Sequence, residues 1–299
     1  MKKVLLASSV LALSAGVAFA EGIEFSGSAV MGVGDNGVDD VRSILETYLT
    51  AKGSGETDTG LAFGFETTIA TYDTDGGLND DGTSAFISGA FGKLSMGSVA
   101  EADEVATLSD IGGLSGLGVD NIAESFTGDS AGRETHDVNY TYSGGALTAS
   151  LSAHLGAAGE GDGYAAGLKY AFGDAYVGLG YNDDNISAAA GTVLSVYAGG
   201  TFGAVGVKAM WSEWDPDAAG DSLNAYGVHV DYTMDALTLS AQYSAADLVN
   251  AAGSDYEAFG VGAAYDLGGG ASVVGGVADV TDATRDGETV WEAGLSFTF

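Results

Sequence analysis

Residues Thr289 to Phe299 read TVWEAGLSFTF, and this stretch decides the fold. Taken every second residue, it puts Trp291, Ala293, Leu295, Phe297 and Phe299 on one face. Val290, Glu292, Gly294, Ser296 and Thr298 fall on the other. Successive side chains of a strand point to opposite sides, so this is a strand with an apolar surface and a mostly small, polar one. It is long enough to cross a bilayer at a tilt. Hydrocarbon cannot satisfy a free strand edge, so the edge must be paired. The natural partner is the first strand of the same chain, which would close a barrel.

Working outward, the chain opens Met1-Lys2-Lys3, continues with an apolar run from Val4 and reaches Ala18-Phe19-Ala20. A basic start, a short apolar stretch and an A-x-A site describe a secretory signal peptide over residues 1–20, with Glu21 as the mature N-terminus. No other stretch approaches the roughly 20 continuous apolar residues of a membrane helix. With 49 Gly, one Pro and 14 Tyr, the composition disfavours helix. There is no Cys, so an exported chain must rely on backbone pairing rather than disulfides. Nine basic residues face 42 acidic ones, a formal net charge of −33, and loss of Lys2 and Lys3 makes it more acidic still. Such a chain excludes nucleic acid as a partner.

From Glu21 onward, alternating strands of about ten residues repeat, and the pattern predicts sixteen. Short connections such as AFGK (90–93), SGGA (143–146), FGDA (172–175) and FGAV (202–205) alternate with long ones rich in Asp, Gly and Asn, such as DNGVDD (35–40) and DVTDATRDG (279–287). Alternate short and long connections are the mark of an up-and-down antiparallel outer-membrane barrel. The fold class expected is therefore all-β: a 16-stranded antiparallel transmembrane β-barrel, one domain over residues 21–299. The single proline, Pro216, falls in a long connection where it interrupts no ladder. Aromatics gather beside the short turns (Phe91, Tyr170, Phe172, Phe202, Tyr265, Phe299), as in an interfacial girdle.

One connection breaks the rhythm. Residues of about 98–136 leave no room for a spanning pair, and a loop of that length is usually functional. It carries Glu101, Asp103, Glu104, Asp110, Asp120, Glu124, Asp129 and Glu134 against Arg133 alone, interleaved with Val105, Leu108, Ile111, Leu114, Leu117, Ile122 and Phe126. Folded inward against the barrel wall, it would bury the apolar residues and present acids to the lumen. Left outside, it would be a disordered extracellular loop.

The chain resembles the 16-stranded general diffusion porins of Gram-negative outer membranes, in their alphaproteobacterial (purple-bacterial) form. GIEFSGSAVMGV (22–33), TDTGLAFGFE (57–66), FISGAFGKLSMGS (86–98), YDLGGGASVVGGVAD (265–279) and GLSFTF (294–299) carry the resemblance, which spans the mature chain. It implies a homotrimer of water-filled pores, each narrowed by an inward third loop. The surroundings it implies are outer-membrane lipid and lipopolysaccharide, with small solutes and ions as cargo. The end of the chain, Phe297 and Phe299, resembles the signal read by the barrel-assembly machinery. The family sets wall arginines and lysines against loop acids; here Glu46 and Tyr48 stand where further basic wall residues would be expected.

The candidate constriction residues are Glu101, Asp103, Glu104, Asp110 and Asp120 on the loop, with Glu24, Arg42, Glu66, Lys169 and Lys208 on the wall. A shortage of wall cations against this loop predicts a preference for cations. Other chemistry is thin. Gly32-Val33-Gly34-Asp35-Asn36-Gly37 matches G-x-G-x-x-G but precedes no phosphate-binding helix. Asp73-Thr74-Asp75-Gly76-Gly77 resembles half of a calcium loop and lacks the remaining ligands. No cofactor is required, although Ca2+ or Mg2+ could gather at the acidic loops. His136, His154 and His229 lie far apart and no serine sits on a nucleophile elbow, so an enzyme is not expected. Trp211 falls on the apolar face, and Tyr72, Tyr176 and Tyr197 form a sparse lumenal aromatic set. Gly27, Ala29 and Ala293 mark where protein rather than lipid could pack. The alternative reading is a secreted or surface acidic β-protein that binds calcium or mediates adhesion.

Overall fold

The computed structural model describes residues 22–72, 76–127, 136–156, 161–184, 190–217 and 220–299. The leader over residues 1–20, Glu21, the first half of the calcium-like run, and Asp129, Arg133 and Glu134 of the long connection lie outside the described residues. The chain forms β1 (Gly22–Asp35), β2 (Arg42–Glu56), β3 (Ala62–Thr71), β4 (Asn79–Gly89) and β5 (Gly92–Val99). The long connection follows, carrying the short helix α1 (Val119–Ala123). Then come β6 (His136–Gly144), β7 (Leu147–His154), β8 (Gly163–Phe172), β9 (Ala175–Asp184), β10 (Gly191–Phe202) and β11 (Val205–Pro216). The chain ends with β12 (Leu223–Met234), β13 (Leu237–Val249), β14 (Asp255–Gly268), β15 (Ala271–Thr281) and β16 (Glu288–Thr298).

The strands pair in chain order, all antiparallel, and β16 returns to β1 to close the barrel. Closure runs from Ser28↔Thr298 to Asp35↔Trp291. At its end Gly27 and Phe299 exchange both backbone hydrogen bonds, at 2.8 and 3.0 Å. Closure removes the edge that a bilayer could not satisfy. At the short-turn end, Gly173 and Gly203 take φ of 64° and 68°, the left-handed region that tight hairpins require. Asp235, in the turn between β12 and β13, takes φ 49° in the same region, which an aspartate tolerates.

Both faces follow the alternation. Ile23, Phe25, Met31 and Val33 on β1, and Phe63, Phe65 and Ile69 on β3, stand exposed on the outside. The girdle residues beside the short turns are exposed as well, and Tyr164, Tyr181 and Tyr226 stand exposed toward the other end. Trp211 donates its Nε1–H to Asn224 at 3.2 Å. Trp214 instead turns inward, its ring centroid 5.8 Å from that of Phe126 on the long connection. Gly27 is capped by the chain's own terminus: a Cβ there would meet the Phe299 ring at 2.6 Å.

The apolar core is not between two sheets but between the long connection and the inner wall. Ile111, Leu117, Val119, Ile122 and Phe126 pack on Val193, Ala225, Ala258, Ala278, Val280 and Val290. Leu108 and Ala123 meet Tyr197 and Met210, and Leu114 meets Ile44 and Val274. Burying side chains of this size contributes about 1.5–3 kcal/mol each, enough to hold the segment inside rather than leave it in water.

Candidate functional site: the loop inside the barrel

The loop enters the lumen after β5 and lies along the wall. At its start Ala102 donates its N–H to Ser152 Oγ at 2.8 Å. Asn182 on β9 donates to Glu101 at 2.7 Å and to Asp103 at 3.3 Å. The wall yields space there: a Cβ on Gly167 would sit 1.8 Å from the Ala102 carbonyl oxygen. Midway, Lys208 on β11 donates to Ser109 Oγ at 2.7 Å. The Gln242 amide is satisfied when its nitrogen donates to the Ser109 carbonyl and His229 Nδ1, both at 2.7 Å, and its oxygen accepts from the Asp120 N–H at 2.9 Å.

The loop tip is held by β16. Glu292 accepts from the N–H groups of Leu114 and Ser115, each at 2.8 Å, and from Ser115 Oγ at 2.6 Å. It is 2% exposed. Gly112 sits against it at φ 95°, where a Cβ would meet Glu292 Oε1 at 2.3 Å. Within the loop, Glu124 accepts from the Leu108 N–H at 2.8 Å. The anchors on Ala102, Leu108, Leu114, Ser115 and Asp120 share one logic: a loop without a ladder must give its backbone groups other partners when buried.

The five loop acids singled out by sequence divide. Glu101, Asp103 and Asp120 are 5%, 0% and 2% exposed, buried at the seam between loop and wall. Glu104 and Asp110 are half-exposed. Of the wall set, Glu24, Arg42, Glu66, Lys169 and Lys208 all alternate with outward apolar residues and face inward. Lys52 and Glu66 form an ion pair at 2.9 Å, and Glu24 stands opposite Lys52 in the ladder. The Lys169 ammonium lies 4.1 Å from the centre of the Tyr176 ring, and that of Lys93 lies 4.7 Å from the Phe86 ring. Each histidine takes its own partner: His136 bonds Ser152 at 2.6 Å, His154 lies 3.2 Å from Asp137, and His229 meets Gln242. Among the described residues no three His, Asp or Glu side chains are placed to hold one metal ion.

Sequence reasoning missed Glu292, Asn182, Ser152 and Gln242 as anchors. Only Glu292 carried a signal, a mid-strand acid on an inward face otherwise small and polar.

A profile of the Gram-negative porin family matches residues 7–285. The porin of Rhodobacter capsulatus is 33% identical over 310 residues, covering 93% of this chain and 100% of its own length. The chain belongs to the Gram-negative porins. A solved porin structure refined at 1.8 Å resolution superposes with a TM-score of 0.72 at 29% identity, over 93% of this chain and 100% of that one. A triple mutant of the Rhodopseudomonas blastica porin superposes at 0.72 with 18% identity over the same shares, which speaks for the fold. This porin is thus a multi-pass β-barrel of the Gram-negative outer membrane, forming a water-filled channel for small hydrophilic solutes and ions.

Proposed function

We propose that this channel works by passive diffusion with a preference for cations. The observation that carries the reading is the excess of acidic over basic residues on the loop and the wall around it. Glu104 and Asp110 keep part of their surface exposed on the loop. On the wall the charge of Lys52 is balanced by Glu66, while Lys208, bonded to Ser109, and Lys169, over Tyr176, are the cations nearest the loop. Acids lining a pore lower the energy of a cation inside it and raise that of an anion, with no conformational step.

The reading extends to partners. The porin works as a homotrimer within outer-membrane lipid and lipopolysaccharide, and Phe297 and Phe299 serve as its signal to the barrel-assembly machinery. Phe299 is 76% exposed at the end of the closing strand, which suits recognition. Diffusion requires no cofactor and no catalytic set. Ca2+ or Mg2+ would gather at the acidic rim formed by Asp35, Asp39, Asp40 and Glu288 as mobile counter-ions.

The test is single-channel recording of unheated, detergent-extracted protein in a planar bilayer under a tenfold KCl gradient. Large steps with a reversal potential on the potassium side are expected. A reversal potential on the chloride side would overturn the cation preference.

A further inference from the structure

Glu46 and Tyr48 lie two residues apart on the inward face of β2, and both are half-buried. The Tyr48 O–H donates to Glu46 at 3.2 Å. Tyr72, just past β3, sets its ring edge-on to Tyr48, with centroids 6.0 Å apart and planes at 68°. The Tyr72 O–H donates to Asp81 on β4. Two tyrosine–carboxylate pairs therefore share one patch of wall. Its height is set by Ile44, two residues from Glu46 on the same face, which packs on Leu114 at the loop tip. At about 3.3 Å per strand residue, Glu46 lies about 7 Å along the wall from that contact. Two other charged groups act on Glu46: Glu292, which holds the tip, and Arg42, four residues nearer the long-loop end.

We propose that Glu46, Tyr48, Tyr72 and Asp81 form a station on the pore wall for organic cations, solutes carrying an ammonium or guanidinium on an apolar stem. Each phenol spends its one proton on a carboxylate, so neither ring competes as a donor for solute. Each carboxylate accepts one bond from its tyrosine and has lone pairs left for the N–H groups of a cation. The rings offer the stem an apolar surface and the charge an electron-rich face. An inorganic cation gains only the charge, a neutral sugar only the ring, and an anion neither. The inference deepens the cation preference argued above but stands on different residues, because none of these four is on the internal loop.

The experiment measures block of the potassium current by agmatine, a dication with a guanidinium and an ammonium on a four-carbon stem, against Mg2+ of equal charge. Both are added to folded protein in symmetric KCl. Agmatine is expected to block at lower concentration than Mg2+. Tyr48→Leu combined with Tyr72→Leu should weaken agmatine block about three- to tenfold, the range a cation–ring contact supplies, and move Mg2+ block much less. Tyr48→Phe keeps the ring and should retain most of the agmatine block, which separates ring loss from misfolding. Glu46→Gln should weaken block by both ions. Agmatine block no stronger than that of Mg2+, or unmoved in the double leucine variant, would overturn the station. The reversal potential of unmodified protein tests the broader preference separately. Chloride selectivity alongside tyrosine-dependent agmatine block would sink that preference and keep the station.

Discussion

Glu292 and the three hydrogen bonds it accepts show how one side chain can set a pore. Its carboxylate meets two loop N–H groups and one hydroxyl with little exposure to water. Hydrogen bonds to a charged group contribute about 1.5–3 kcal/mol each. Glu292→Gln keeps the shape but replaces one acceptor oxygen with an NH2 that confronts donors. The expected outcome is a looser loop tip inside an intact barrel, with noisier single-channel current and faster entry of larger sugars into proteoliposomes. Wild-type noise and an unchanged size limit would show that the tip is held by packing alone. A second substitution acts at the other end of the loop. Gly167→Ala would drive a methyl group into the Ala102 carbonyl oxygen. The loop entrance must then shift, and a changed unitary conductance from protein that still migrates as a folded barrel is the expected result.

Among elements, the connection between β15 and β16 is held by a set of side-chain and backbone bonds centred on Asp282 and Arg285. Arg285 bonds Asp282 through two guanidinium nitrogens and accepts the Asp282 N–H on its own carbonyl at 2.9 Å. Asn250, from the neighbouring outer loop, donates to the same carbonyl at 3.3 Å. The guanidinium also reaches the internal loop, lying 3.1 Å from where a Cβ on Gly118 would be. Burial alone would raise the Asp282 carboxyl. Hydrogen bonds from Arg285 and from the Thr284 N–H outweigh it and hold the carboxyl below its ordinary value of 3.8. A depressed carboxyl stabilises the folded loop above its unfolded value and loses that contribution as pH falls through the folded one. Amide hydrogen exchange over residues 282–287 should therefore stay slow at pH 7 and down to about pH 5, and quicken below 3.8. Equal protection at pH 7 and pH 3, after correction for intrinsic exchange, would remove the ion pair as the cause. The strands themselves were legible because their pattern is local: TVWEAGLSFTF fixes its own faces, and FGDA and FGAV announce their own turns. Trp214 was not legible, since at a strand end alternation alone does not choose a side and its contact with Phe126 does.

For the whole molecule, charge is arranged along the barrel axis as well as across it. Lys52, Lys93, Lys169 and Lys208 sit toward the short-turn ends of β2, β5, β8 and β11, several of them near Glu24, Glu66 or Asp231. The long-loop end gathers Asp35, Asp39, Asp40, Asp184, Asp286 and Glu288, with Arg42 and Arg285 as counter-charges among the described residues. In outer-membrane barrels the long loops face outside, so the outer mouth is the more negative. Salt screens such a mouth: the Debye length is about 10 Å at 0.1 M and 3 Å at 1 M. Potassium selectivity should be stronger when the dilute solution bathes the long-loop side than when it bathes the short-turn side. Reversal potentials measured with uniformly oriented protein under both gradient directions check this, and equal magnitudes would sink it.

By itself the sequence determined the barrel, its strand faces and its alternating short and long connections, and it left the long loop open between an inward and an outer course. The barrel, faces and connections follow from rules that act over a few residues: side chains alternate, and hydrocarbon admits no free edge. The tertiary structure alone decided which charges a solute can meet. Asp103 and Glu104 are chain neighbours of nearly equal chemistry, yet one is fully buried against Asn182 and the other half-exposed. Tyr48 and Tyr72 become one aromatic pair only because the ladder of β2 and β3 sets them side by side. Exposure of a loop acid depends on the wall group it docks against, and in this chain those partners lie tens to nearly two hundred residues away, as Glu292 does from Leu114.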